Sequence, residues 1–538
     1  MRSDRSVLPP GDYADARAAF DWSLPADFSI AHSCCDHWAT LDPDRPAIID
    51  LARSGAREVW SFGRLKDASD RFASILAARG VGRGDRVALL LPQSPFIMVT
   101  HFAVMKLGAV VLPLFTLFGE DALEIRLADS GARLAVTDDA NLDKLMAVAP
   151  KTALCETVTT GTAHHDGPVT VRPLSDALKA AQPATPVAVG PDDPAVMIYT
   201  SGTTGAPKGA LHGHRFLAGH LPAVEMILDR PTEGDIGWTP ADWAWIGGLM
   251  DLAMPTLYYG LPLIAQRMRK FDPEAAFAMM RDERVSISFL PPTALRTMRQ
   301  VAVPDGLSLR AVGSGGESLG ADLLDWAAAD LGAELNELYG QTECNLVLAS
   351  GLGVRKAGMI GKPVPGHEVA ILGPDGQPLG PGQEGEIAVM RPDPVMFLGY
   401  WNQPEKTAAK FDGDWLRTGD LGVMDDEGFF GFMSRDDDVI TSAGYRIGPT
   451  EIENCLAGDA DVVAAAVVGW PDEVRGEIVK AYVVLRDGAV RLDAVERLTA
   501  RVKEKVSPHC APRAIEFVDD LPKTATGKIM RRALRKPD

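Results

Sequence analysis

Tyr199-Thr200-Ser201-Gly202-Thr203-Thr204-Gly205-Ala206-Pro207-Lys208-Gly209 follows the apolar run 195–198. The run reads as a buried strand, and the segment after it as a tight polar loop. Glycines let backbone N–H groups turn toward an anion, hydroxyls add donors, and Lys208 adds a mobile positive charge. Such a loop fits a polyphosphate. Its spacing is not Gly-x-x-x-x-Gly-Lys-Ser/Thr, which disfavours an ordinary P-loop.

Upstream, residues 64–79 carry Leu65, Ala68, Phe72, Ile75 and Leu76 on one helical face, ended by Gly80. Residues 86–91 form an apolar strand, Ser94 can cap a helix running to about Lys106, and 109–112 form a second strand. Strand, helix, strand in this rhythm predicts a parallel sheet covered by helices, and it recurs at 286–290 and 311–313. Residues 155–190, rich in Thr, Ala, Pro and His, read as a surface loop. From about residue 360, tight turns such as Gly373-Pro374-Asp375-Gly376 predict a small antiparallel β region. Beyond the acidic run 436–438, a candidate linker, strands at 461–469, 477–486 and 514–518 and a helix at 492–506 predict a small α+β domain.

Composition sets the limits. The chain has 538 residues, 54 Lys+Arg against 73 Asp+Glu, and a formal net charge of −19. That field repels a phosphate backbone, so nucleic acid is excluded as a default partner, whereas a nucleotide needs only a local site. Six cysteines at 34, 35, 155, 344, 455 and 510 include no CxxC, which suits neither a disulfide framework nor zinc and points to a reducing compartment, the cytoplasm. No apolar segment of signal-peptide type follows Met1. The most apolar stretch, 87–115, is broken by Pro92, Pro95, Lys106 and Pro113, so no membrane span is expected. His212, His214 and His220 lack a fourth ligand at matching spacing and read as packing or solvated histidines.

Further motifs follow in order: Gly315-Gly316-Glu317-Ser318, Tyr339-Gly340-Gln341-Thr342-Glu343, Trp415-Leu416-Arg417-Thr418-Gly419-Asp420, Arg435, Gly444-Tyr445-Arg446, Glu451-Ile452-Glu453 and Pro522-Lys523-Thr524-Ala525-Thr526-Gly527-Lys528. With the loop at 199–209, this set resembles the adenylate-forming superfamily of acyl-CoA synthetases, luciferases and adenylation domains, over nearly the whole chain. The resemblance implies an α/β fold: a large N-terminal domain of helix-covered sheets plus a small β-barrel-like subdomain, 1–435, then a small mobile α+β C-terminal domain, 436–538.

The implied chemistry is activation of a carboxylic acid by ATP to acyl-AMP, then transfer to coenzyme A, with Mg²⁺ as the metal. Thr200, Ser201, Gly202, Thr203, Thr204 and Lys208 would hold phosphates; Gly316, Glu317 and Ser318 the adenine; Tyr339, Gly340, Gln341 and Thr342 the adenylate. Asp420 can accept both ribose hydroxyls, and Arg435 can bind ribose or α-phosphate. Glu343 supplies a hard oxygen to Mg²⁺. Lys528 meets the charge that develops as pyrophosphate leaves, with Thr200 and Glu343 beside it in the catalytic set. Trp243, Trp245 and Gly340 are the expected acyl contacts; Gly444, Tyr445, Arg446, Arg475 and Lys503 those of CoA; Asp437 the hinge.

Gly316-Glu317-Ser318-Leu319 and the segment at 339–343 look most like medium-chain acyl-CoA synthetases, since acetyl-CoA synthetases carry Trp where Gly340 stands. The alternatives are an acetyl- or propionyl-CoA synthetase, an adenylation enzyme that loads a carrier protein, and a non-catalytic nucleotide-binding protein. A phosphopantetheine attachment at Ser318 is disfavoured, because it would need its own helical module. Cys344 and His509-Cys510 depart from the family pattern, the latter losing a positive charge on the CoA side. A lysine acetyltransferase or deacetylase acting on Lys528 is an implied partner; the sequence carries no signal of oligomeric state.

Overall fold

Ser94 precedes the helix Pro95–Met105, with Pro95 in its first turn where a missing N–H costs nothing. The strands on either side, Arg86–Leu90 and Val110–Pro113, pair in parallel, Val87 opposite Val111. They form the middle of an eight-stranded sheet in the computed structural model. The model describes residues 5–535 except 52–54, 201–206, 269, 318, 436–437, 443–444, 473–474, 487, 490, 492 and 525–527. The sheet order is Gly399–Tyr400, Lys208–Gly213, Pro194–Thr200, Val110–Pro113, Arg86–Leu90, Leu134–Thr137, Glu156–Thr159, Thr170–Pro173.

The last two strands, with the helix Leu174–Ala180, lie in the segment expected to be a loop. That expectation is corrected. Glu156–Thr159 and Thr170–Pro173 are four residues each and hold a single valine among threonine, glutamate, arginine and proline, which gives little apolar signal.

A second sheet of nine strands contains Ala311–Gly315 beside Glu334–Gln341, in parallel, and Cys344–Ala349 antiparallel to the latter. Residues 342 and 343 form the turn between these two strands. The β region beyond residue 360 is an antiparallel five-stranded sheet, in which Asp420 of Trp415–Met424 lies opposite Arg435 of Phe430–Arg435. Tyr445–Ile447, Ile440–Ser442, Gly476–Leu485, Val462–Asp472 and Ala514–Phe517 make the C-terminal sheet, covered by the helices Pro449–Ala457 and Ala494–Lys505. The chain is thus mixed α/β, a large N-terminal body of helix-covered sheets followed by a smaller C-terminal one. No helix among the described residues is long and apolar enough to cross a membrane.

Lys106, which interrupts the apolar stretch, is buried at the end of its helix. Its Nζ lies 2.5 Å from Asp70 Oδ1, 2.7 Å from Asp36 Oδ1 and 2.9 Å from Ser69 Oγ. Lys106→Met keeps the length but leaves the buried Asp36 without its cation and Asp70 with Lys66 alone, at a cost of about 3–5 kcal/mol. The urea midpoint of the N-terminal body should fall accordingly; an unchanged midpoint would show that the ion cluster contributes nothing.

Candidate active site

The strand Pro194–Thr200 returns antiparallel as Lys208–Gly213, with Thr200 opposite Lys208, so the glycine-rich loop closes a hairpin at the sheet's end. Ser201, Gly202, Thr203 and Thr204 lie outside the described residues, as do Ser318, Asp437 and Gly444 and the side chains of Tyr445 and Arg446. Tyr199 fixes the strand end, its hydroxyl donating to Asp129 Oδ2 at 2.5 Å. Thr200 Oγ1 is buried with no hydrogen-bond partner among the described residues, an orphan that a phosphate oxygen can satisfy. The Lys208 ammonium sits 4.3 Å from the centre of the Tyr400 ring. Burial pulls its pKa below that of an ordinary lysine, against the opposing pull of Glu343.

Tyr400 also donates its hydroxyl to Glu343 Oε1. Glu343 stands at the hairpin turn after Glu334–Gln341, buried, with its carbonyl accepting from Phe397 N at 2.9 Å. No group of three or more His, Cys, Asp or Glu side chains among the described residues could hold a metal by itself. A lone carboxylate, linked through Tyr400 to Lys208, is a donor set that suits Mg²⁺, which takes one or two protein carboxylates and completes its shell with phosphate and water. Cys344, next in sequence, is fully buried, and that burial pushes its thiol pKa well up. The family departure at this position is therefore a core substitution.

A cavity of about 490 Å³ brings together Gly316, Glu317, Tyr339, Gly340, Gln341, Asp420, Arg435 and Lys528. The Tyr339 hydroxyl donates to Asp420 Oδ2 at 2.7 Å, and Gln341 Nε2 donates to the Thr418 carbonyl at 2.9 Å. Arg435 lies 3.4 Å from Asp420 Oδ1. Burial raises the Asp420 pKa, and Arg435 and the Tyr339 hydroxyl oppose the rise. Gly316 has φ +95°, and a Cβ there would stand 3.3 Å from Lys528 Cε and 3.5 Å from the Trp245 ring. Glycine is thus favoured by the positive φ of the backbone, and the lysine lies close over it.

Lys528 is presented by a turn in which Thr524 N donates to its carbonyl at 2.7 Å and its own N donates to Thr524 Oγ1 at 3.1 Å. Burial lowers its pKa, while the negative charges of Glu317, Asp420 and Glu343 pull the other way. Arg531, on the same segment, reaches Glu453 at 2.6 and 2.8 Å and Asp438 at 2.9 Å. The lysine-bearing tail is thereby tied to the start of the C-terminal domain.

Glu337 was not anticipated from the sequence. It lines the same cavity, accepts from Leu319 N at 3.2 Å, and burial raises its carboxyl pKa to about 8. Strand alternation could have found it, because Glu337, Tyr339 and Gln341 share one face of their strand. Tyr400 and Lys410 were also missed; Lys410 Nζ donates to Gln341 Oε1 at 3.2 Å and to the Arg417 carbonyl at 2.9 Å.

The expected acyl contacts separate. Trp243 is completely buried in the main core and lines neither large cavity. Trp245 lines a second cavity of about 670 Å³ with Gln93, Phe115, Lys144, Asp242, Arg267 and Lys523. Gly340 borders the first cavity, but a Cβ on it would stand 2.3 Å from Leu346 N and 2.7 Å from Asn345 Cα. Close backbone approach is one physical reason for the glycine at this position. Arg475 and Lys503 line neither cavity; Arg475 N donates to Asp472 Oδ1 at 2.9 Å in a hairpin turn, and Lys503 is exposed on the helix Ala494–Lys505. His212, His214 and His220 are buried in packing, His212 stacked 3.8 Å from the Phe216 ring.

Comparison with known proteins agrees with this geometry. The AMP-binding enzyme family matches residues 35–401, and the AMP-binding enzyme C-terminal domain matches residues 451–528. The rat protein named acyl-coenzyme A synthetase ACSM2, mitochondrial, is 34% identical over 534 residues, covering 95% of this chain and 92% of that one. The acetyl-coenzyme A synthetase of Bacillus subtilis is 33% identical over 536 residues, covering 97% and 93%. The crystal structure of a Brucella canis acyl-CoA synthetase superposes with a TM-score of 0.74 at 33% identity, covering 99% and 98%. The chain belongs to the AMP-binding enzyme family, as an AMP-forming acid–CoA ligase.

Proposed function

We propose that this ligase activates a short- to medium-chain carboxylic acid, branched and aromatic acids included, and that its ATP half-reaction runs in the cavity beneath Lys528. The observation that carries this reading is Lys528 Cε lying against Gly316 in the cavity that also holds Tyr339, Asp420 and Arg435. The acid's carboxylate attacks the α-phosphorus, the bond to pyrophosphate breaks, and the Lys528 ammonium stabilises the charge on the transferring group. Asp420, oriented by Tyr339 and Arg435, accepts the ribose hydroxyls. Glu343, oriented by Tyr400, would hold Mg²⁺, which supplies charge neutralisation at the leaving pyrophosphate. Lys208 leaves the Tyr400 ring for the β- and γ-phosphates.

In the second half-reaction the CoA thiol attacks the acyl-AMP carbonyl and AMP departs. Arg475 and Lys503 lie away from the cavities in the present arrangement, which fits a C-terminal domain, 436–538, that turns about Asp437 relative to residues 1–435. The face around Gly444, Tyr445 and Arg446 would then meet CoA. The second cavity, with Lys144, Arg267 and Lys523 at its wall and Trp245 next to Lys528, has the charge to receive an anionic thiol carrier. Six free cysteines suit a reducing compartment such as the cytoplasm. Acetylation of Lys528 would remove the charge that the first half-reaction uses, which makes a lysine acetyltransferase the regulatory partner of this reading.

Lys528→Ala should lower ATP-dependent pyrophosphate release by roughly 100- to 1,000-fold or more. Thioester formation from supplied acyl-AMP should largely survive, and equal loss of both would overturn the lysine's role. Among unbranched acids, kcat/KM should rise about fourfold per CH₂ from acetate, at about 0.8 kcal/mol each, until the acyl space is full. Gly340→Ala should depress activity with every acid and weaken ATP binding while leaving the preferred chain length in place, because its Cβ meets backbone. A shortened optimum with intact ATP binding would show instead that position 340 does bound the acyl chain.

A further inference from the structure

Tyr400 belongs to a short run of chain that fastens together two parts of the site drawn from different sheets. Gly399–Tyr400 pairs antiparallel with Lys208–Gly213 at the edge of the eight-stranded sheet, Tyr400 opposite Ala210. Leu398 N donates to the Leu211 carbonyl at 2.7 Å, and Trp401 N to the Gly209 carbonyl at 2.8 Å. The run thus lies along the return arm of the glycine-rich hairpin. At its other end Phe397 N donates to the Glu343 carbonyl at 2.9 Å. Beside it, Met396 bridges to Cys344, the first residue of a strand in the nine-stranded sheet.

The Tyr400 side chain repeats this link between the functional groups themselves. It is 5% exposed. Its hydroxyl donates to Glu343 Oε1, and no other hydrogen bond from a described residue reaches the Glu343 carboxylate. Oε2 is left open on a buried carboxylate, a group that persists only when its charge is met. The Lys208 ammonium lies 4.3 Å from the centre of the same ring, with no hydrogen bond or ion pair to a described residue. A cation on a ring face keeps its N–H donors unspent, so it can exchange the ring for a phosphate. The ring is itself fixed. Tyr400 N donates to Thr407 Oγ1 at 2.9 Å, Thr407 Oγ1 donates to the Gln403 carbonyl at 3.0 Å, and the Phe397 ring stands edge-on at 5.0 Å.

We propose that Tyr400 is a positioning residue that couples the Glu343 carboxylate to the Lys208 ammonium, so that Mg²⁺ and the ATP phosphates strengthen one another's binding through it. The inference rests on the acid-activation reading above, in which Glu343 and Lys208 act separately, and adds that one ring makes them a unit. The hydroxyl holds Oε1 and thereby presents Oε2; hydrogen-bond partners that orient a metal-binding group typically change metal affinity by roughly 10- to 100-fold. The ring face holds the ammonium at a set distance from that carboxylate. A rigid phenol between opposite charges also keeps them from closing into a direct ion pair, which would withdraw both from the nucleotide.

The test is calorimetric titration of ATP into the enzyme without acid or CoA, in EDTA and at a series of Mg²⁺ concentrations. Wild-type affinity for ATP should rise with Mg²⁺. Tyr400→Phe keeps the ring face and removes the hydroxyl, so ATP affinity in EDTA should hold while the half-saturating Mg²⁺ concentration rises roughly 10-fold or more. Glu343→Gln should raise that concentration too, and the double variant should be no worse than Glu343→Gln alone, because the two side chains act as a pair. Thr407→Val, which removes the acceptor of the Tyr400 N–H, serves in place of Tyr400→Phe if that variant loses cooperative thermal unfolding. A merely structural tyrosine would weaken ATP binding equally with and without Mg²⁺. That result, an unchanged Mg²⁺ midpoint, or additive effects in the double variant overturns the proposal. Wild-type ATP affinity that ignores Mg²⁺ would instead overturn the Glu343 assignment in the reading on which the proposal rests.

Discussion

An ammonium group is costly to remove from water, and the cavity lined by Gly316, Tyr339 and Asp420 holds Lys528 partly out of it. Burial depresses its pKa, and Glu317, Asp420 and Glu343 supply the opposing field. Each of those carboxylates is itself restrained. Arg296 lies 2.8 Å from Glu317, Tyr339 and Arg435 engage Asp420, and Tyr400 donates to Glu343. Buried charges persist only when paired and hydrogen-bonded, so the positions of these side chains are interdependent. The lysine arrives from the C-terminal domain, and Arg531 binds its segment back to Glu453 and Asp438.

Steric constraints shape the space around that cation. Gly316 lets Lys528 and Trp245 lie against the backbone, and Gly340 lets the strand Glu334–Gln341 close onto Asn345 and Leu346. Trp245 borders the second cavity while its ring faces Gly316 and the lysine, so a single indole lies between the two spaces. Its neighbour Trp243 turns into the core. Two tryptophans one residue apart thus have different surroundings, because the chain enters the helical segment Ile246–Gly248 directly after Trp245.

Much of this was legible beforehand. The hairpin of Thr200 and Lys208, the glycine at 316, the carboxylate at 420 and the lysine at 528 stand in short motifs whose residue types state their chemistry. The helix after Ser94 and the parallel pair on either side of it followed from continuous apolar runs and from Ser94 as a possible cap. Where reading failed, the signal was weak or ambiguous. The strands at Glu156–Thr159 and Thr170–Pro173 are short, hold one valine each and read as loop. Glu337 lacked a motif, and nothing along the chain shows that Gly340 lies against Asn345 and Leu346.

The sequence by itself determined the α/β class, the glycine-rich segment between two strands, and the order of the family motifs with Lys528 in the last of them. These are local: a few adjacent residues carry both the turn geometry and the functional groups. Only the tertiary structure decided which side chains share a cavity. Asp420 finds Arg435 through strand register and Tyr339 from a different sheet, and Glu343 finds Tyr400 across 57 residues. Such pairings arise from how sheets and helices pack, and no spacing along the chain encodes them.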